Sequence, residues 1–183
     1  MTVPAPLTIR HATTSDISAM VDVFIDSWEM VRTKAFSEDE LKIARKEEQD
    51  LLEIWLADLR KTALIADIGN TPMGFIIYGQ ASAGVADSLT VIKQFNTIPT
   101  LDYKIGSVLF KSLCTDETQP GTITVTSTYQ GEDGYRAFGL TGNRNLMQLS
   151  ENRRCCWREC SEGVFPRFTD IKREAYFDRL LTL

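Results

Sequence analysis

Residues Asp87 to Leu113 read DSLTVIKQFNTIPTLDYKIGSVLFKSL. The stretch opens with an apolar alternation, Leu89 and Val91, which predicts a strand. A loop containing Pro99 follows. Ile105, Val108, Leu109, Ser112 and Leu113 then recur at the spacing of one buried helix face. A strand that feeds a loop with Gly106 at the mouth of a helix can hold phosphate. The first helical N–H groups have no partner within the helix, and the helix dipole concentrates partial positive charge there.

Working outward towards the N-terminus, Met73 to Gly79 and Ala63 to Ile68 read as two strands joined by the turn Gly69-Asn70-Thr71-Pro72, a hairpin. Ser37-Glu38-Asp39-Glu40 opens a helix as a capping box, Ser37 with Glu40. Leu41, Leu51, Leu52, Ile54, Trp55 and Leu59 are its apolar positions, and the polar KIARKEEQD between them reads as solvated surface where the helix breaks. Leu7 to Arg10 predicts the first strand. Thr13 to Asp16 offers N-caps, and Ile17, Met20, Val21, Phe24 and Trp28 predict the first helix.

Towards the C-terminus, the β-branched run Thr122 to Thr128 predicts a strand, and Glu132 to Phe138 a short helix ended by Gly139 or Gly142. Beyond Asn143 the pattern predicts strands at Asn145 to Leu149 and Cys155 to Glu159, then a helix at Lys172 to Leu181. No linker or repeat divides the chain, so one domain over residues 1–183 is expected.

The 183 residues suffice for one packed core, and 43% hydrophobic with 25% charged residues is an ordinary globular composition. A formal net charge of −5 argues against nucleic acid as a partner. Eight of the twelve arginines nonetheless follow Gly134, and the cluster Arg153 to Arg158 around Cys155-Cys156-Trp157 reads as an amphipathic strand or an interface. The four cysteines form no CxxC, and His11 is the only histidine, a structural or surface residue. Free thiols and no bound metal are therefore expected. No signal-peptide pattern and no membrane-length apolar run is present, which points to a cytoplasmic chain without a membrane partner.

Three places carry a family resemblance. LTIRHATTSDISAMVDVFIDSW is similar to the first strand and helix of the GNAT superfamily of acyl-CoA-dependent N-acetyltransferases. IADIGNTPMGFIIYG resembles that family's second hairpin, with its Val/Met-Gly-Phe strand. Thr128, Gly131, Tyr135, Gly139 and Leu140 stand at the spacings of the family's late helix, with the tyrosine and a glycine retained. The resemblance is clearest over residues 7–140. It departs at the pyrophosphate loop, where the family's Arg/Gln-x-x-Gly-x-Gly/Ala is matched by Leu101, Lys104 and Gly106. Lys104 limits close backbone approach there but brings an ammonium to meet a phosphate. The loop from Val91 to Ile105 is longer than usual.

The resemblance implies an α/β fold: a single GNAT-type domain with a mixed, mostly antiparallel sheet and helices on both faces. It implies transfer of an acetyl group from acetyl-CoA to a primary amine of a small molecule, by direct attack. The cofactor would lie along Val91 and Ile92, whose strand exposes backbone N–H groups to the acyl carbonyl, and at Lys104, Ile105, Gly106 and Ser107. Tyr135 would protonate the leaving thiolate, with Tyr103 and Tyr129 nearby but off the family spacing. Asp87 would be the base, with Glu132 and Asp133 as alternatives that capping alone also explains. Trp28 and Phe36 would line the acceptor pocket, although Trp28 and Trp55 also fit a core face. The family frequently dimerises, so a homodimer is possible. Two rivals remain: a GNAT-fold enzyme of other acyl-CoA chemistry, and a non-catalytic GNAT-like binding module that has lost CoA.

Overall fold

The computed structural model describes residues 5–30, 35–81, 89–98, 104–119, 121–127 and 131–161. Seven strands form one sheet in the order β1-β2-β3-β4-β5-β7-β6: β1 Leu7–His11, β2 Lys61–Ile68, β3 Thr71–Gln80, β4 Leu89–Thr97, β5 Thr122–Val125, β6 Thr141–Asn143 and β7 Leu146–Leu149. The pairs β1–β2, β5–β7 and β6–β7 are antiparallel and β4–β5 is parallel. The helices are α1 Ile17–Glu29, α2 Glu38–Ala57, α3 Ile105–Thr115, α4 Glu132–Ala137 and α5 Glu151–Arg158. This is the mixed, mostly antiparallel α/β architecture expected from the sequence. None of the described helices is long and apolar enough to cross a membrane.

The chain divides into two compact units. The first comprises Met1–Tyr78 and Gln94–Leu109. Its hairpin turns at Gly69 and Asn70, both at positive φ (57° and 69°), the geometry that a two-residue turn needs to match strand twist. Ala63, Ile65, Phe75 and Ile77 on one face of β2 and β3 pack with Met20, Val21, Val23 and Ile25 of α1 and Leu52 of α2. The alternate residues Leu64, Ala66, Ile76 and Tyr78 are buried too, so both faces of these strands are covered.

The helix α2 begins as expected. The Ser37 N–H donates to Glu40 Oε2 at 2.8 Å, and the Glu40 N–H to Ser37 Oγ at 3.3 Å. It does not break at KIARKEEQD. Lys46 and Gln49 each bond the carboxylate one turn on, Asp50 and Glu53, and Arg45 reaches Asp22 of α1 at 2.6 Å. The exposed side of the polar run thus stabilises the helix it was expected to interrupt.

The second unit comprises Gly79–Lys93 and Phe110–Leu183. Phe110 and Phe138 stack with centroids 4.6 Å apart, and Trp157 meets both edge-on, its indole N–H bonded to the Phe138 carbonyl at 3.1 Å. Trp157 belongs to α5, so the segment expected as a strand over Cys155 to Glu159 is helical. Its inward residues are Arg154 and Trp157, three apart.

Arg154 is fully buried and reaches five backbone carbonyls: Leu113, Cys114, Asp116, Gln119 and Gly121. It closes the C-terminal end of α3 and the turn after it, where carbonyls lack helical partners and the dipole favours a cation. The arginine cluster of the sequence is therefore a helix with a structural guanidinium at its centre. The expected helix at Lys172 to Leu181 lies outside the described residues.

Candidate active site

In the first unit, the site expected from the sequence begins at α3. Val108 N–H donates to the Lys104 carbonyl at 3.0 Å, which makes Lys104 the residue from which the helix springs. Ile105 and Ser107 are buried and Lys104 is exposed. Ile105 is anchored on β3 at Gly74. An added Cβ on Gly74 would stand 2.9 Å from Ile105 Cγ2, 3.0 Å from Thr97 Cγ2 and 3.1 Å from the Asn96 carbonyl oxygen. The glycine of the Met-Gly-Phe strand thus sets how closely the start of α3 approaches the sheet. A helix N-terminus fixed in this way, with a lysine directly before it, suits an anion.

The strand β4 is longer than its apolar pattern suggested, running to Thr97. Its parallel ladder with β5 joins Leu89 to Thr122 and ends at Ile92 and Val125. Val91 and Ile92 therefore lie at the last rungs of that ladder, and β4 runs on beyond the end of β5 to Thr97. Ile92 is buried and Val91 half-buried.

Further along β4, alternate side chains turn to the helices of the first unit. Gln94 Nε2 donates to Glu48 Oε1 of α2 at 2.6 Å, and Asn96 Nδ2 donates to Ser27 Oγ of α1 at 2.9 Å. Burial raises the Glu48 pKa above the ordinary glutamate value, and the bond from Gln94 opposes the rise. Trp28, one residue after Ser27, is 38% exposed and packs on Phe24 with centroids 5.7 Å apart. It is a surface aromatic and not a core one. Phe36 is half-buried just before the α2 cap.

In the second unit, Tyr135 lies on α4, whose end is fixed by Gly139 at φ 90°. That conformation lets the Leu140 N–H return to the Tyr135 carbonyl at 3.1 Å. Burial pushes the Tyr135 phenol above its ordinary value, so it keeps its proton at neutral pH. Arg136, the next residue, is held by Glu132 at 2.5 Å and by the Gly142 carbonyl at 2.8 Å. Cys114 is buried, and burial pushes its thiol up to about 12, so it is no nucleophile at neutral pH. Asp87, Leu101, Tyr103, Thr128 and Tyr129 lie outside the described residues. Among the described residues, no three His, Cys, Asp or Glu side chains are grouped to hold a metal.

The structure gathers Trp28, Phe36, Lys104, Ile105, Gly106 and Ser107 in one unit and Val91, Ile92 and Tyr135 in the other. It also brings Glu48 of α2 to Gln94 of β4, a buried pairing that the charged run around Glu48 does not announce. One signal could have found it: Leu41, Ala44, Glu48, Leu52 and Trp55 fall on one helix face, so Glu48 occupies a core register.

No protein-family model matches the sequence, and no curated protein matches it. Solved structures do. PaiA N-acetyltransferase from Thermoplasma acidophilum, in complex with coenzyme A, superposes with a TM-score of 0.63 at 17% identity, over 79% of this chain and 99% of that one. A GNAT-family acetyltransferase from Brucella melitensis, in complex with acetyl-CoA, gives 0.57 at 17% identity, over 95% and 99%. A presumed acetyltransferase from Pyrococcus horikoshii gives 0.56 at 22% identity. There 75% of this chain is covered but only 44% of the other, so this chain spans less than half of that protein. The fold is that of the GNAT acetyltransferases.

Proposed function

We propose that this chain is an acetyl-CoA-dependent N-acetyltransferase, one catalytic domain acting on the primary amine of a small molecule. The observation that carries the reading is the start of α3. It lies directly after Lys104 and is docked on Gly74, in a fold whose solved examples include coenzyme A and acetyl-CoA complexes. Lys104 and the N–H groups of Ile105, Gly106 and Ser107 hold the pyrophosphate. The lysine charge offsets the poorer backbone approach that its side chain imposes.

The thioester lies along β4, where backbone N–H groups at Val91 and Ile92 polarise the acyl carbonyl. The acceptor enters past Trp28 and Phe36. Its nitrogen attacks the carbonyl carbon, the C–N bond forms, and the C–S bond breaks. Tyr135 protonates the departing thiolate, and a carboxylate takes the proton that the amine must lose. No covalent intermediate on the protein is needed, and the buried Cys114 thiol is unsuited to one.

The test is release of free CoA thiol from acetyl-CoA in the presence of a panel of primary amines, with mass detection of the N-acetyl product. Amine-dependent release supports the reading. Acetyl-CoA that binds but is never transferred would point to a binding protein of this fold.

A further inference from the structure

The two polar pairs between β4 and the helices differ in one respect. Asn96 donates to Ser27 Oγ, and the Ser27 hydroxyl donates in turn to the Phe24 carbonyl at 2.8 Å, so that chain of donors and acceptors closes on α1. The other chain stays open. Gln94 Nε2 donates to Glu48 Oε1 at 2.6 Å, but Gln94 Oε1 is buried and has no hydrogen-bond donor. Glu48 is only 4% exposed, and its bond is to a neutral amide. A carboxylate taken this far from water is ordinarily matched by a cation or by several donors.

Among the described residues, no cation is bonded to Glu48. On α2 itself, Arg45 is turned to Asp22 of α1 and Lys46 to Asp50. On β4, Lys93 is one residue before Gln94 and so lies on the opposite side of the strand. The pair therefore offers acceptor oxygens from two side chains and asks for a compact group with several N–H donors and a positive charge. An alkylammonium has that chemistry. A hydroxyl or thiol acceptor would bring one donor and no charge.

We propose that Glu48 and Gln94 form the receptor for the acceptor amine, with Glu48 as its base. The carboxylate binds the incoming ammonium and takes one proton from it, leaving a neutral amine whose lone pair attacks the acetyl carbon. Gln94 Oε1 accepts a second N–H and orients the nitrogen. The nitrogen loses its remaining excess proton as the C–S bond breaks, and the departing thiolate gains one. Glu48 then returns its proton to solvent. The inference rests on the acetyl-transfer reading above and places the base on α2 instead of at Asp87. Burial raises the proton affinity of Glu48, the direction required of a group that takes a proton from an ammonium.

The experiment compares wild type with Glu48→Gln, which keeps an acceptor for Gln94, and with Gln94→Met, which removes the open acceptor and leaves Glu48. Melting temperature is measured in n-butylammonium chloride against sodium chloride at equal ionic strength. Acetyl-CoA affinity and the pH dependence of kcat/KM for n-butylamine are measured on the same proteins. The expected result is a melting shift specific to the amine salt in wild type and absent in Glu48→Gln. With it go a fall in kcat/KM of about 100-fold, loss of the acid limb of the profile, and unchanged acetyl-CoA affinity. Gln94→Met should raise KM more than it lowers kcat.

A Glu48→Gln protein that keeps both the amine-specific shift and the wild-type pH profile overturns the inference while leaving acetyl transfer standing. A wild type that binds no acetyl-CoA but shows a Glu48-dependent amine shift supports the amine receptor and overturns only the transfer reading.

Discussion

Ile105 Cγ2 lies where a Cβ on Gly74 would come within 2.9 Å of it, so the first residue of α3 occupies space that only a glycine on β3 leaves open. Gly74→Ala forces Ile105, Thr97 or the Asn96 carbonyl to move. Overpacking of this kind costs about 1–3 kcal/mol. The expected outcome is a lower urea midpoint together with weaker acetyl-CoA binding, because the shifted group opens the phosphate cradle. Unchanged stability would mean that the helix start is not held by this contact.

Tyr135 tests the chemistry without touching the cradle. In Tyr135→Phe, kcat should fall by about 100-fold or more, as for loss of a general acid, with acetyl-CoA affinity unaltered. Because burial raises the phenol's pKa, wild type should show no tyrosine limb in its kcat profile below about pH 10. A Phe variant with normal turnover would remove Tyr135 from the mechanism.

Arg154 is the stability counterpart. Replacing it with Met removes its bonds to five carbonyls around the end of α3 and leaves those of Gln119 and Gly121 without that donor, while Cys114 keeps Arg158 at 2.9 Å, which should cost about 3–5 kcal/mol. Arg154→Lys should recover little, since an ammonium cannot present the planar fork that reaches all five. Urea unfolding of the two variants measures both effects, and a Lys variant of wild-type stability would contradict the account.

Much of this fold could be read from its residues, and the failures have physical causes. Gly69-Asn70 announced its hairpin because two positive φ values are needed there. The helices α1 and α3 showed plain apolar periods. By contrast α5 was hidden, because its inward face is carried by Arg154, which any hydropathy pattern counts as surface, while Cys155-Cys156-Trp157 mimics an extended apolar run. The second half of β4 was hidden for the same reason: Gln94 and Asn96 face helices but are polar. The start of α3 was legible from the helical spacing that begins at Ile105. Glu48 was not, since a buried carboxylate within KIARKEEQD looks like its solvated neighbours.

Glu48 also has a stability signature. Its folded-state pKa lies above the ordinary value of 4.5, so the folded protein holds the proton more tightly than the unfolded chain. Its contribution favours folding in full below about pH 4.5 and is lost as pH rises through the raised folded value. Glu48→Gln removes that dependence. The variant should therefore gain on wild type in melting temperature between pH 4 and pH 8, even as it loses activity. A variant whose melting temperature keeps a constant offset from wild type across that range would mean that folding does not raise the proton affinity of Glu48.

The most direct measurement is acetyl-CoA binding by calorimetry to wild type and to Gly106→Glu. The account predicts a defined complex with wild type and none with the variant, because a carboxylate at the start of α3 opposes the phosphates where the helix dipole and Lys104 attract them. Equal binding to both proteins, or no binding to wild type at millimolar acetyl-CoA, would contradict it.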